Sequence, residues 1–225
     1  MTGRHASLDD SGRPPHPLWI AVAAAMGVVV LGAVGISIGD ELTPYSRWNL
    51  GKEKTVPTFF SATLLVAGGI CAAVAARRSL CGMRLPWLAL GLLLLAMGID
   101  EMVGAHDQLE RLTGIDWQVL YAPVVLAAGV AWLLIVRHLR GAPRLMMVAG
   151  AAAWGAAQTL EALQWDGDER AAGFEPMMLT EELLEMTGSA FFLLAVYTLL
   201  REAATRRQVS QRAPAGTAPK ARFQP

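Results

Sequence analysis

The stretch G-I-D-E-M-V-G-A-H-D-Q-L-E, residues 98–110, gathers Asp100, Glu101, His106, Asp107 and Glu110 immediately behind a long run of almost purely apolar residues. Two more acidic groups stand in similar surroundings: Glu161 in A-Q-T-L-E-A-L-Q-W, and Glu181, Glu182 and Glu185 in L-T-E-E-L-L-E-M. Carboxylates with one imidazole offer oxygen and nitrogen donors, a set that suits a divalent metal such as Zn, Fe, Mn or Ca rather than Cu(I). Carboxylates brought close together cannot all stay ionised unless a cation joins them, so protons or a metal must share any site they form. The candidate metal ligands are Asp100, Glu101, His106, Glu161, Glu182 and Glu185.

The elements that would position these groups are membrane helices. The chain has 225 residues, of which 17% are charged, well below the roughly 25% of a soluble domain. Its polar residues are confined to short stretches between long apolar ones, and in lipid each such segment must satisfy its own backbone as a helix. The alternating segments of about ten residues that a β-barrel needs are absent from the sequence. The fold class expected is therefore all-α, a polytopic bundle with spans near 18–38, 58–76, 85–105, 118–136, 145–165 and 179–200. Each is close to the ~20 residues that cross a ~30 Å core. Residues 1–17 and the basic, Ala- and Pro-rich 201–225 read as disordered flanks. The first span is too long for a signal-peptide core and no A-x-A site follows it, so it reads as an anchored helix.

Orientation follows from basic residues. With six spans, fourteen of the nineteen Lys and Arg residues fall on the side of the termini and five on the other, which makes both termini cytoplasmic. The localisation expected is the bacterial inner membrane. Trp48, Trp117, Trp165, Tyr45 and Tyr121 then mark the outer interface, and Trp19, Trp87 and Tyr197 the inner one. Sixteen of the nineteen acids lie on the outer side or in the outer ends of spans, so the candidate site faces outward.

Spacing limits which acids can meet. Glu181 and Glu185 share a helical face, as do Glu182 and Glu185; Asp100 and Asp107 fall within about 20° of each other on a continued helix. Glu101 and His106 are about 140° apart on a straight helix, so they serve one ion only if the helix bends or ends near Gly104. That spacing also departs from the E-x-x-H pairs of di-metal bundles. A plainer reading holds for acids at the very ends of spans, including Asp40 and Glu41: solvation at headgroup level, or acids suited to a helix N-terminus. Glu161 and Glu185 resist it, because apolar chain continues beyond them, and ionisable residues inside spans normally face an interior or a water cavity.

Other features read as packing. Gly27, Gly32, Gly35, Gly68, Gly69, Gly150 and Gly155 let helices approach, while Met146, Met147, Met177 and Met178 read as apolar filler. Cys71 and Cys81 form no C-x-x-C pair.

D-E-x4-H-D closing one span, a lone Glu closing another, and E-E-x-x-E opening the last one form a combination over about residues 85–200. It resembles uncharacterised bacterial multi-span membrane proteins with a D-E-x4-H-[DE] element, a resemblance that transfers no function. Paired histidines of membrane desaturases, haem-ligand histidine pairs and a last-span lysine for retinal are all absent from the sequence.

The function expected is a membrane protein with an outward-facing carboxylate/His site that binds a divalent metal, as binder or as metal-dependent enzyme. A proton- or cation-coupled small-solute carrier is the alternative, and a non-catalytic subunit of a membrane complex the third. The absence of acids from the inner half of every span weighs against a carrier, which needs a route through. Partners expected are the lipid bilayer and a second copy of the chain or another membrane protein; nothing in the sequence points to nucleic acid.

Overall fold

In the computed structural model, residues 17–39, 47–48, 54–78, 83–166 and 169–212 are described. They form helices α1 (Pro17–Gly39), α2 (Val56–Arg78), α3 (Arg84–Val103), α4 (Ala105–Thr113), α5 (Trp117–His138), α6 (Ala142–Leu163) and α7 (Phe174–Arg212). A two-stranded antiparallel hairpin, β1 (Trp165–Asp166) and β2 (Glu169–Arg170), joins α6 to α7 with Trp165 opposite Arg170. The class is all-α, as expected. Among the described residues, α2, α3, α5 and the Phe174–Gln208 stretch of α7 are long and apolar enough to cross a membrane. Helices α1 and α6, of 23 and 22 residues, stand where the first and fifth spans were expected. Asp40, Glu41, Cys81 and the terminal stretches 1–16 and 213–225 lie outside the described residues.

Packing makes α2 and α7 the centre. Helix α7 lies against α6, α2 and α1; α2 also lies against α3 and α1, and α3 carries α5 on its other side. Side chains interlock where the helices cross: Leu65, Leu94, Trp87, Ile135, Met147, Phe192 and Val196 share one buried cluster. Where backbones must nearly touch, glycine replaces them. A Cβ on Gly69 would lie 2.9 Å from the Gly91 carbonyl oxygen, and one on Gly98 2.9 Å from that of Ala62, so α2 and α3 meet along glycine. Gly150 and Gly188 do the same for α6 and α7. Gly27 and Gly32 abut the side chains of Phe60 and Leu183, whereas a Cβ on Gly155 would meet no atom within 4 Å among the described residues.

Three local expectations change. Helix α7 continues to Arg212 instead of ending at 200, because R-E-A-A-T-R-R-Q consists largely of helix-forming residues, and Glu202 pairs with Arg206 one turn on at 3.7 Å. At 39 residues it is about 58 Å long by the 1.5 Å rise, nearly twice a ~30 Å hydrocarbon core. Trp87, expected at the inner interface, is 4% exposed and belongs to the core. Span three does not run to 105: it stops at Gly104, and a separate helix begins.

Candidate functional site

The end of α3 determines where the histidine goes. Gly104 adopts φ 65°, ψ 46°, the left-handed conformation that only glycine enters without strain, and its N–H closes α3 on the Asp100 carbonyl at 2.7 Å. The chain restarts as α4 and brings residue 106 back over residue 100. Asp100 then holds His106 twice: Oδ1 accepts the His106 backbone N–H at 3.0 Å, and Oδ2 lies 2.8 Å from the ring Nδ1. The Tyr121 hydroxyl donates to Asp100 Oδ1 at 3.4 Å. With a carboxylate as acceptor, Nδ1 carries a proton, and the other ring nitrogen, Nε2, lies 3.7 Å from Asp107 Oδ1. The spacing required a turn at Gly104 for His106 to approach these acids, and the turn brings His106 directly onto Asp100.

The first turn of α5 binds the next acid. Asp116 caps that helix by accepting the Gln118 backbone N–H at 2.7 Å, which fixes the two side chains that follow. Trp117 Nε1 donates to Glu161 Oε1 and Gln118 Nε2 to Glu161 Oε2, both at 3.1 Å. The Trp117 ring also lies 5.3 Å from the His106 ring and 5.7 Å from Tyr121, between the histidine and the glutamate.

Amides carry the connection to α7. Gln118 Nε2 has two hydrogens, and it also reaches Gln158 Oε1 at 3.4 Å; Gln158 Nε2 in turn donates to Glu185 Oε1 at 3.4 Å. Gln164 donates to Glu181 a turn nearer the helix ends. Because α6 and α7 are joined by a hairpin and run antiparallel, Gln164 meets Glu181 and the deeper Gln158 meets the deeper Glu185. Below Glu185 the polar path continues: Ser189 Oγ donates to the Glu185 carbonyl at 2.7 Å, accepts from Trp154 Nε1 at 3.3 Å, and lies 3.3 Å from Ser61 Oγ.

All six expected residues therefore lie at one end of the bundle. Glu101, Glu182, Glu181 and Glu161 are within electrostatic range of Glu185, and His106 and Asp116 within range of Glu161. Glu101 and Glu182 are engaged by neighbours of their own. Proximity is not coordination, however. Among the described residues, no group of three or more His, Cys, Asp or Glu side chains is arranged to hold a metal ion. Sequence reasoning missed the connecting groups Trp117, Gln118, Gln158 and Gln164. The available signal was Q-x-x-E-x-x-Q at 158, 161 and 164, amide and acid side chains one turn apart at the end of a largely apolar helix.

A cavity of about 450 Å³ opens beside Glu161, lined by Glu110, Asp116, Trp117, Gln118, Glu161, Ala162 and Trp165. Among the described residues its wall carries three carboxylates and no Lys or Arg.

A family model described as Domain of unknown function (DUF8692) matches residues 16–199. The chain belongs to the DUF8692 family. The matched region takes in α1 to α6 and most of α7, so every member of the acid–amide network lies inside the DUF8692 domain. No curated protein and no solved structure matches the chain.

Proposed function

We propose that this DUF8692 protein is a bacterial inner-membrane protein of six spans, both termini cytoplasmic, whose outward-facing carboxylate–imidazole cluster binds a cation. One observation carries the reading. Glu161, Glu181 and Glu185 receive their hydrogen bonds from Trp117, Gln118, Gln158 and Gln164, all neutral donors. Neutral donors orient a carboxylate but do not cancel its charge, and acids held this way at one end of a membrane bundle call for protons or a metal ion. The chemistry of the donors suits Zn, Fe, Mn or Ca. Their arrangement does not suit a resident metal, because the acids point to amides and not to a common point. The ion is accordingly an exchangeable one that must displace amide contacts or protons to bind, and no chemical step is assigned to it.

A second reading, a carrier coupled to protons or cations, is favoured by the cavity. At about 450 Å³ it exceeds the needs of a bare ion, and Trp117 and Trp165 flank its acids, a lining suited to a small organic cation.

Calorimetry on the purified protein tests the primary reading. Titration with Zn²⁺, Mn²⁺ or Ca²⁺ should show binding that releases protons, detected as heats that change with the ionisation enthalpy of the buffer. The affinity should fall as pH is lowered, since protons compete for the same oxygens. No binding by any of the three ions, or binding indifferent to pH, overturns it. Orientation is tested separately. A C-terminal reporter active only in the cytoplasm should work, and one inserted near residue 170 should behave as external; an external C-terminus rules out the six-span arrangement.

A further inference from the structure

Helix α4 has nine residues and buries none of them. Its apolar side chains are nevertheless segregated: at 100° per residue Ala105, Leu109 and Leu112 fall within about 60° of one another, while Asp107 and Arg111 take the opposite side. Among the described residues none buries that stripe: Leu112 is 83% and Leu109 38% exposed, and Ala105 is half-buried. What lies on either side indicates what does. Helix α4 sits between α3 and α5, both membrane-crossing by length and composition, and its contacts are mainly with these two. Val103, the last residue of α3, and Val119, in the first turn of α5, are themselves exposed and apolar, so apolar surface on the two membrane-crossing helices extends to both ends of α4. Both junctions are left-handed glycines, Gly104 and Gly114 at φ 65°, each ending one helix and allowing the next to leave in a new direction.

We propose that α4 lies along the bilayer surface on the side of the acid cluster, its Ala105–Leu109–Leu112 stripe set into the acyl boundary of that leaflet and its charged side in water. The polar side carries Asp107 and Glu110 against a single Arg111, so attachment rests on apolar burial and not on attraction to anionic lipid. This proposal depends on α3 and α5 crossing the bilayer and is independent of the cation reading. It gives the membrane a part in the site, because the helix that the lipid holds is the one that carries His106 onto Asp100.

Photocrosslinking of the full chain in phosphatidylcholine vesicles tests it, with a benzophenone amino acid placed singly at 109, 112, 107 or 111. Positions 109 and 112 should give lipid adducts several-fold above those from 107 and 111, and adding anionic lipid should leave the pattern unchanged. Equal adducts from all four positions overturn the proposal, as do adducts from 112 to a second copy of the chain. Leu112→Asp gives an independent measurement, since the side chain touches no core residue. It should speed amide hydrogen exchange across 105–113, and exchange as slow as in the parent chain counts against lipid contact.

Discussion

Glu185→Gln is expected to weaken cation binding by about 10–100-fold, the range typical of disturbed metal sites, while leaving the bundle folded. Gln keeps the length of the side chain, and its carbonyl can still accept from Gln158. Only the charge is lost. Glu101, Glu182, Glu181 and Glu161 all act on this position, so a neutral amide there meets no repulsion in the cation-free protein and needs no shared proton. Its melting temperature without cation should therefore equal or exceed that of the parent chain, while the rise on adding cation disappears. Glu161→Gln behaves differently. Both Glu161 oxygens accept, from Trp117 and from Gln118, and an amide can satisfy only one of them. That variant should lose cation response and also about 1 kcal/mol of stability. Asp107→Asn and Glu110→Gln, on exposed α4 and outside the amide-linked acids, should change metal-ion binding little; Glu110 lines the cavity, so its loss would matter to the organic cation of the second reading instead. Thermal melts with and without Zn²⁺, Mn²⁺ and Ca²⁺ decide the matter. A Glu185→Gln protein with the parent's response would mean that the acids are merely solvated, and equal losses from all four changes would indicate diffuse surface charge.

The acids were legible in the sequence because an ionisable residue in an apolar run is expensive and therefore conspicuous. Glu161 and Glu185 drew attention for that reason, and the 100° step placed Glu185 on a face with Glu181 and with Glu182. The need for a break at Gly104 was also legible, since no straight helix brings residue 106 back toward residues 100 and 101. The pairing of His106 with Asp100 was not, because it depends on the direction in which a left-handed residue sends the chain. The amides were missed for a different reason. Gln costs less in an apolar run than Glu, so Gln118 and Gln158 stand out less, although they join Glu161 to Glu185. Their role is set by the pairing of α5 with α6 and of α6 with α7, which no single helix encodes.

Helix positions followed from hydropathy, and their ends did not. Hydropathy reports where lipid would begin and end, whereas the last hydrogen-bonded turn depends on propensity and caps. Helix α7 thus outruns its apolar stretch on Ala, Arg and Gln, and α5 begins where Asp116 caps it. Trp87 shows the same limit for the aromatic belt. Its place in the chain matched an interface residue, but the close approach of α2 and α3 at Gly69, Gly91 and Gly98 draws it into the core.

Gly188→Val is expected to destabilise the protein by about 1–3 kcal/mol, as overpacking does, and to abolish the cation response with it. A Cβ at 188 would stand 2.5 Å from Trp154 Cδ1 and 3.0 Å from the Gly150 carbonyl oxygen. The backbone oxygen cannot swing aside, and the indole is tied by its Nε1 to Ser189 Oγ, so α6 and α7 must separate. The Gln158–Glu185 contact, already 3.4 Å, lies on the same pair of helices within three residues of Gly188 and should break first. Denaturant unfolding monitored by circular dichroism would give the stability loss, and cation titration of the still-folded fraction the loss of response. Gly155→Ala is the control. It lies on the same helix as Gly150 with open space around it, so alanine should be neutral or should add up to about 1 kcal/mol through helix propensity. If Gly188→Val and Gly155→Ala proved equally benign, the close α6–α7 approach would be wrong, and with it the amide bridge from α5 to Glu185. If Gly188→Val lost stability but kept its cation response, the ion would be held without Gln158, by acids on α7 and α3 alone.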